Sequence, residues 1–221
     1  MKKLIFLFLI SVNLIFAISF EEAKKIEKEQ GVLASLNSYK VLASQNNVNA
    51  IFKLALIYAN GKEVEQSLIM SKKYLEKGSL LKHNKSSYYL AKLYLSKKTP
   101  YYNLAKAFNT FLEAAKRGYA PAQNMIGQFL ATGTVVDTDY KKAVEYFEKA
   151  SKQGYIEAHC NLAFMYASGK GVFPNFGRAH QFAKKGIKVG NKKCQKVWDE
   201  YNLAKYDKDK GWKFNFYTKP K

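Results

Sequence analysis

The chain has 221 residues, of which 37 are Lys or Arg and 17 are Asp or Glu, giving a formal net charge of +20. Only two of the basic residues, Arg117 and Arg178, are arginine. Because proteins that read bases favour the bidentate guanidinium group, the composition argues against a nucleic-acid partner and favours an acidic one.

The N-terminal segment has the pattern of a secretory signal peptide. Lys2 and Lys3 precede an apolar run from Leu4 to Phe16, and Ala17-Ile18-Ser19 offers a small-x-small cleavage site. The run is short for a membrane span, which needs about 20 apolar residues. We therefore expect residues 1–19 to be cleaved and the protein to be periplasmic or secreted. An uncleaved membrane anchor is the alternative.

The next segment, residues 20–47, is predicted to be a capping helical hairpin. Gly31 interrupts the helical pattern of residues 21–45. The apolar positions on either side of it are Ile26, Val32, Leu33, Leu36, Leu42 and Ala43. Atypical end units of this kind are expected where a stack of repeats meets water.

A residue pattern then recurs every 36 residues without insertion or deletion, and it defines four repeats. Self-similarity at such a period is typical of stacked helical repeats. The repeats span residues 48–83, 84–119, 120–155 and 156–190. The clearest columns are Leu54, Leu90, Ile126 and Leu162; Ala55, Ala91, Gly127 and Ala163; Tyr58, Tyr94, Leu130 and Tyr166; Ser71, Ala107, Ala143 and Ala179; and Gly78, Ala114, Ala150 and Gly186.

Each repeat is predicted to form two helices. In the third, Pro121 suits the first turn of the first helix, and Thr132-Gly133 ends that helix. The second helix presents Phe147 and Ala150 on one face. The position before the second helix holds an N-cap residue in every repeat. These residues are Ser67, Asn103, Asp139 and Asn175.

The third and fourth repeats resemble the Sel-one-like repeat (SLR), a relative of the tetratricopeptide repeat. The resemblance is carried by Ala122 to Gly133 with Lys141 to Ala150, and by Leu162 to Tyr166 with Gly169-Lys-Gly171-Val172. It implies an all-α fold, a right-handed α/α solenoid of antiparallel helix pairs. The second repeat departs from the pattern, because Lys97, Thr99 and Pro100 replace the loop glycines and valine.

The chain ends in a predicted capping helix, residues 191–205, and a basic aromatic tail, residues 206–221. The helix carries Cys194 and Trp198 in repeat columns. In the tail, Trp212, Phe214 and Phe216 alternate with polar residues, which indicates an extended segment. Two interpretations fit: the tail folds back on the last helix, or it docks on a partner or a membrane surface.

The resemblance also implies a binding groove lined by the first helix of each pair. The groove positions follow from the buried column, at two residues before each Leu and at two and six after it. The mixture of aromatic and amide side chains suits an extended peptide. The predicted groove residues are Phe52, Leu56, Asn60, Tyr88, Lys92, Ser96, Asn124, Gln128, Thr132 and Phe164, with Cys160 and Ser168 at the equivalent fourth-repeat positions. The alternative is that Phe52, Tyr88 and Phe164 belong to the core.

Cys160 and Cys194 are the only cysteines. An exported protein can form a disulfide, yet helix axes packed at about 8–10 Å make the bridge geometrically tight. A disulfide and a pair of small buried thiols therefore both remain open. The exported cysteine-rich SLR proteins place their bridges between the end of one repeat and the start of the next, a pattern that this chain does not reproduce.

Catalytic and metal-binding motifs are weak. Ser79-Leu-Leu-Lys82 matches the Ser-x-x-Lys element of serine β-lactamases, but Ser-Asp-Asn is missing and Lys98-Thr99 is followed by Pro100. The histidines, His83, His159 and His180, lack metal-ligand spacing. We therefore expect no cofactor, no metal and no catalysis.

These patterns together predict a noncatalytic adaptor of the bacterial envelope that binds another protein or peptide in its groove. One alternative, suggested by the family alone, is a protein that binds or hydrolyses β-lactams or binds peptidoglycan. The other is a basic protein that attaches to anionic polymers or lipid through its charge and its tail.

Overall fold

The computed structural model describes residues 18–206. The predicted signal peptide, apart from Ile18 and Ser19, and the tail beyond Tyr206 lie outside the described residues. Within them the chain forms eleven α-helices, one short 3-10 helix and no strands, so the predicted all-α fold is confirmed. The helices are α1 (Phe20–Gln30), α2 (Val32–Ser44), α3 (Val48–Asn60), α4 (Leu68–Leu80), α5 (Asn84–Leu95), α6 (Leu104–Lys116), α7 (Ala120–Thr132), α8 (Tyr140–Lys152), α9 (Ile156–Ser168), α10 (Phe176–Ile187) and α11 (Lys192–Glu200), and the 3-10 helix is Leu203–Tyr206.

The described part of the chain divides into two compact units, with the boundary after Ser71. In the first unit, α1 and α2 form the predicted hairpin on either side of Gly31. The hydroxyl of Tyr39, which is fully buried, donates a hydrogen bond to Glu27 at 2.7 Å. Lys53 of α3 pairs with the same carboxylate at 2.5 Å, and burial raises the pKa of Tyr39. The first unit therefore contains a partly buried polar network that joins α1, α2 and α3.

The start of α2 shows how the first unit satisfies a helix end that has no cap of its own. Gly31 offers no side chain to the free N–H groups of the first turn. The Glu63 carboxylate, in the loop after α3, accepts the N–H of Val32 at 2.7 Å instead. Its negative charge is also favourable at a helix N-terminus. Leu33 on the same helix is 63% exposed, so that predicted apolar position does not join the core.

In the second unit, successive helices pack as antiparallel pairs, and the repeat columns supply the core. Leu90, Ile126 and Leu162 are at most 5% exposed, and the small-residue columns are buried beside them. Phe147 of α8 lies against Gly127 of α7. A Cβ on Gly127 would approach the Phe147 ring to within 2.6 Å. The glycine is therefore what allows a phenylalanine to fill the space between these helices.

The loop inside every repeat closes with the same backbone hydrogen bond. The N-cap residue donates its N–H to the carbonyl of the Tyr58, Tyr94, Leu130 and Tyr166 column, at 2.7–2.9 Å. All four N-cap side chains also accept an N–H from the first turn of the following helix, so the predicted caps are confirmed. A cap of this kind contributes about 1 kcal/mol. The repeats consequently share one loop closure.

The second repeat reaches that closure by a different route. Gly61, Gly133 and Gly169 end the first helices of the other repeats in the left-handed conformation, with φ of 64°, 67° and 72°. Here Ser96 is extended, and the hydroxyl of Thr99 donates to the carbonyl of Leu93 at 3.1 Å. A threonine side chain thus satisfies a helix-end carbonyl that the glycine turn would otherwise cover.

The C-terminal end differs from the prediction of a single helix over residues 191–205. Helix α11 ends at Glu200, and Asn202 adopts a left-handed backbone with φ of 48° before the 3-10 turn. Leu203 is fully buried, and its carbonyl accepts a hydrogen bond from the Nδ1–H of His180 at 2.8 Å. The turn therefore brings an apolar side chain and a carbonyl back onto α10, which a straight helix could not do.

Candidate interaction surface

Four tyrosines from the second and third repeats meet near the starts of α5, α7 and α9 in the second unit. Tyr88 and Tyr89 lie on α5, whereas Tyr119 and Tyr155 occupy the N-cap positions of α7 and α9. The ring of Tyr88 lies 5.7 Å from that of Tyr119 and 5.8 Å from that of Tyr89. The hydroxyls of Tyr88 and Tyr155 also interact. We call Tyr88, Tyr89, Tyr119 and Tyr155 the tyrosine cluster.

The cluster is half-buried and carries one lysine. Burial raises the pKa of Tyr88, Tyr119 and Tyr155, so their hydroxyls stay protonated at neutral pH. Tyr89 is 39% exposed, and the Lys92 ammonium lies 5.5 Å from the centre of its ring. Aromatic faces with a cation and hydroxyl donors offer both apolar area and hydrogen bonds to a partner.

A chain of polar side chains links α7, α9 and α11. The amide of Asn161 donates to the Oδ1 of Asn124 at 2.7 Å, and the Lys193 ammonium donates to the Oδ1 of Asn161. Packing removes water from the Lys193 ammonium and lowers its pKa, while nearby Glu157 acts in the opposite direction. Much of the Lys193 side chain is still exposed, so it remains accessible to a partner.

A cleft of about 700 Å³ lies beside this chain, between the start of α9 and the start of α11. One wall is residues 154–157 and includes Tyr155 and Glu157. The other wall is residues 189–193 and includes Lys192 and Lys193. The cleft is therefore lined by an aromatic ring and by charges of both signs, and it adjoins the tyrosine cluster through Tyr155.

The predicted groove residues differ in position and in exposure to solvent. Tyr88 and Lys92 come together in the tyrosine cluster, and Tyr88 also packs on Phe111 with ring centres 5.4 Å apart. Phe164 lies apart from them, near Tyr201 at 6.3 Å and beneath the Lys170 ammonium at 5.4 Å. The remaining residues are half-buried, namely Phe52, Leu56, Ser96 and Gln128, or exposed, namely Asn60 and Thr132.

Three of these residues make hydrogen bonds within the protein, either to a neighbouring helix or to their own backbone. The prediction for Asn124 as an exposed groove residue is wrong, because its side chain is 2% exposed and its carbonyl oxygen is taken by Asn161. Thr132 donates to the carbonyl of Gln128 at 3.0 Å, and the Ser96 hydroxyl accepts the N–H of Lys98 at 3.4 Å. A single helical wheel cannot distinguish these residues from groove residues, because it contains no neighbouring helix.

The residues that the sequence analysis missed are Tyr89, Tyr119, Tyr155, Asn161 and Lys193. The sequence does contain a pattern that could have identified two of them. Tyr119 and Tyr155 stand 36 residues apart in the column before the first helix of each pair. Aromatic residues at a position that usually holds a short polar cap indicate contact with something other than their own helix.

Cys160 and Cys194 are joined by a disulfide, with a Cα–Cα distance of 4.6 Å. Both residues are fully buried. The close approach is possible because α10 contributes Gly186 at this level. A Cβ on Gly186 would lie 2.0 Å from the Cys194 sulfur and 3.1 Å from the Cys160 sulfur.

The residues weighed for catalysis and metal binding have structural contacts. Ser79 lies in the last turn of α4, not in the predicted inter-repeat turn, and its hydroxyl is 2.9 Å from that of Ser87. His159 Nδ1 is 2.9 Å from the Ser151 hydroxyl. Within residues 18–206 no three His, Cys, Asp or Glu side chains are grouped as metal ligands. Over the same span no helix has the length and hydropathy of a membrane-crossing segment.

The environment of His159 predicts a stability that depends on pH. Burial, and the nearby Lys185, lower its pKa from 6.5. Since the unfolded chain then binds the proton more readily, the free energy of unfolding should fall as the pH drops below about 6.5, by at most about 1.4 kcal/mol per pH unit for this group. Urea unfolding between pH 7.5 and 5 measures this slope. His159→Gln, which copies Gln123 of the third repeat, should flatten it. An unchanged slope would contradict the assignment.

The Sel1 repeat family profile matches residues 48–83, 120–155 and 156–191. No protein with a curated description matches significantly. A Sel1 repeat protein from Oxalobacter formigenes is 21% identical, with a TM-score of 0.72, and the alignment covers 82% of this chain and 75% of that one.

Two further solved structures show the same fold. The protective antigen c5321 of uropathogenic Escherichia coli, which displays an SLR fold, is 24% identical with a TM-score of 0.74. The alignment covers 83% of this chain but only 40% of that protein. The immunity protein PA5088 from Pseudomonas aeruginosa is 20% identical with a TM-score of 0.55, over 85% of this chain and 78% of that one. Together with the helix pairs and the matched repeats, these comparisons identify the chain as a Sel1-repeat (SLR) helical-solenoid protein.

Proposed function

We propose that the protein is a noncatalytic adaptor of the bacterial cell envelope, and that it binds a protein partner through the tyrosine cluster and the adjoining cleft. Sel1 repeats commonly serve as scaffolds for protein–protein interaction. The observation that carries the proposal is the tyrosine cluster itself. Tyrosine is enriched where protein interfaces are tightest, because it combines large apolar area with a polar end.

The arrangement around the cluster supports a peptide partner of extended shape. The rings lie on α5 and directly before α7 and α9, so one ligand lying across the starts of these first helices would contact all of them. Lys92 at one side and Lys193 at the other provide cations for acidic side chains or a terminal carboxylate. The half-buried rings are held by Phe111 and by each other, which reduces the entropy lost on binding.

The adaptor proposal is tested with the substitution pair Tyr89→Ala/Lys92→Ala, used as bait against an envelope extract. The chain offers a matched control, Tyr102→Ala/Lys97→Ala. Tyr102 is 40% exposed, and the Lys97 ammonium lies 5.8 Å from its ring, but this pair lies in the loop of the second repeat. We expect one discrete protein to be retained at high salt by the wild type and the control and lost by the Tyr89 variant.

A purified partner then allows a quantitative measurement. Titration calorimetry should show binding weakened about tenfold or more in the Tyr89 variant and little changed in the control. Equal loss in both variants would contradict the proposed site. Diffuse acidic material that elutes with salt and ignores both substitutions would favour the alternative of a basic protein held to anionic polymers or lipid, because exposed charge interactions are screened by salt.

Export is part of the proposal, and it rests on the signal-like N-terminus and on the disulfide, since such bonds persist in oxidising compartments. We expect the expressed chain to appear in the periplasm or the medium, shortened by 17–19 residues. Cell fractionation and the intact mass of the exported protein measure this. A full-length chain in the cytoplasm would contradict it. Ser19 caps α1 by accepting the N–H of Glu22, so the mass also shows whether that cap survives.

A further inference from the structure

Helix α11 lies beyond the last matched repeat, yet its first two residues, Lys192 and Lys193, belong to one wall of the cleft. The family match ends at residue 191, and α11 begins at Lys192. Within the described residues only the short 3-10 helix Leu203–Tyr206 follows it, in place of the second α-helix of a repeat. Its placement therefore depends on the contacts of a few side chains with α9 and α10.

Those contacts include a covalent bond and a hydrogen bond that are made by two adjacent residues. Cys194 is bonded to Cys160, and the residue before it, Lys193, donates to Asn161, the residue after Cys160. Val197 adds a buried apolar contact, and the Trp198 ring lies 4.5 Å from that of His180. The disulfide is the one covalent bond among these side-chain contacts. Its two cysteines are the sequence neighbours of Lys193 and Asn161, which form the hydrogen bond.

The space around the disulfide leaves the sulfur atoms little freedom toward α10. Gly186 lies so close to both sulfur atoms that not even a methyl group would fit between them. Two thiols need a wider, nonbonded separation than two bonded sulfurs. Because the Gly186 side is filled, we expect the reduced pair to be accommodated by movement of α11 away from α9.

We infer that the Cys160–Cys194 disulfide is a clamp that creates the cleft, so that the protein has an oxidised state with the α11 wall in place and a reduced state in which this wall is released. Reduction by a dithiol donor transfers two electrons and two protons to Cys160 and Cys194, and the donor becomes a disulfide. Because both cysteines are buried, this reaction proceeds through local opening of α11. Only the consequence for partner binding rests on the proposed function.

Hydrogen exchange of the full chain, oxidised and reduced with a phosphine, tests the clamp without any partner. We expect the amides of residues 192–200 to exchange about tenfold faster or more after reduction, and those of α5 to α8 to keep their protection. Cys160→Ala/Cys194→Ala should reproduce the reduced pattern and show no response to the phosphine. Unchanged protection of α11 would overturn the clamp. A uniform loss of amide protection from α5 to α11 would also overturn it, because the disulfide would then stabilise the whole unit and not α11 alone.

Partner binding separates this inference from the proposed function. With a purified partner, we expect affinity to fall on reduction and in the double cysteine variant. A partner that is lost with Tyr89→Ala/Lys92→Ala but binds both redox states equally would overturn redox control of binding and leave the adaptor proposal standing. Release of α11 in hydrogen exchange supports the clamp even if no partner binds at the tyrosine cluster.

Discussion

Replacing Gly186 with alanine should destabilise the protein by about 2–5 kcal/mol, either through overpacking or through loss of the disulfide. The direction is informative, because Gly186 lies inside α10, where a glycine-to-alanine change ordinarily stabilises a helix by about 1 kcal/mol. The new methyl group would lie 2.0 Å from the sulfur of Cys194. Thermal unfolding together with a count of free thiols distinguishes the two routes.

The control is the same Gly186→Ala substitution in a variant from which both cysteine sulfur atoms have been removed. In a Cys160→Ala/Cys194→Ala background, alanine at 186 should cost little or should stabilise, because the atoms that it meets are gone. Alanine is already present at the equivalent positions of the second and third repeats, Ala114 and Ala150. Additive effects in this cycle would show that Gly186 and the disulfide are independent, contrary to the packing described above.

Truncating Phe147 to alanine should cost about 3–5 kcal/mol, because the ring is 2% exposed and fills the space between α7 and α8. Chemical denaturation of the full chain measures the change. Tyr146→Ala on the same helix is the matched control. That ring is only half-buried, with the Lys149 ammonium 5.1 Å from its centre, so its loss should cost much less.

A second substitution tests why Phe147 fits. Gly127→Ala alone should destabilise, because its methyl group would meet the ring at 2.6 Å. In the Phe147→Leu background it should be tolerated, since the first repeat carries Ala55 and Leu75 at the two equivalent positions. If Gly127→Ala were equally harmful in both backgrounds, the ring would not be the reason for the glycine.

The helices were predictable from sequence because their signals are local. The 36-residue columns, the caps at Asn103 and Asp139, and the glycine ends at Gly61 and Gly133 each depend on residues close in the chain. Repetition then confirmed each signal several times. Even the departure in the second repeat preserved the helices, because the Thr99 hydroxyl replaced a glycine turn.

The candidate site was harder to predict because its members are defined by other helices. Asn124 reads as a polar groove residue, and only Asn161, 37 residues away, explains its burial. Lys193 belongs to the site because α11 packs beside α9 and its ammonium donates a hydrogen bond to Asn161. The sequence pattern does not indicate this hydrogen bond. The disulfide likewise depends on Gly186, a third residue that no cysteine spacing includes.

The shared loop closure has a consequence for how such a chain can change. In every repeat the same backbone N–H and carbonyl join the two helices, whereas the intervening residues range from a glycine turn to Thr99 and Pro100. The loop closure therefore survives different intervening sequences, provided that the first helix ends in a glycine turn or in a substitute such as the Thr99 hydroxyl. Phe173 lies in one such segment, and its side chain is 88% exposed and therefore outside the core. An epitope or reporter peptide inserted there should leave the tyrosine cluster intact, which makes these loops suitable attachment points for following the protein in a cell.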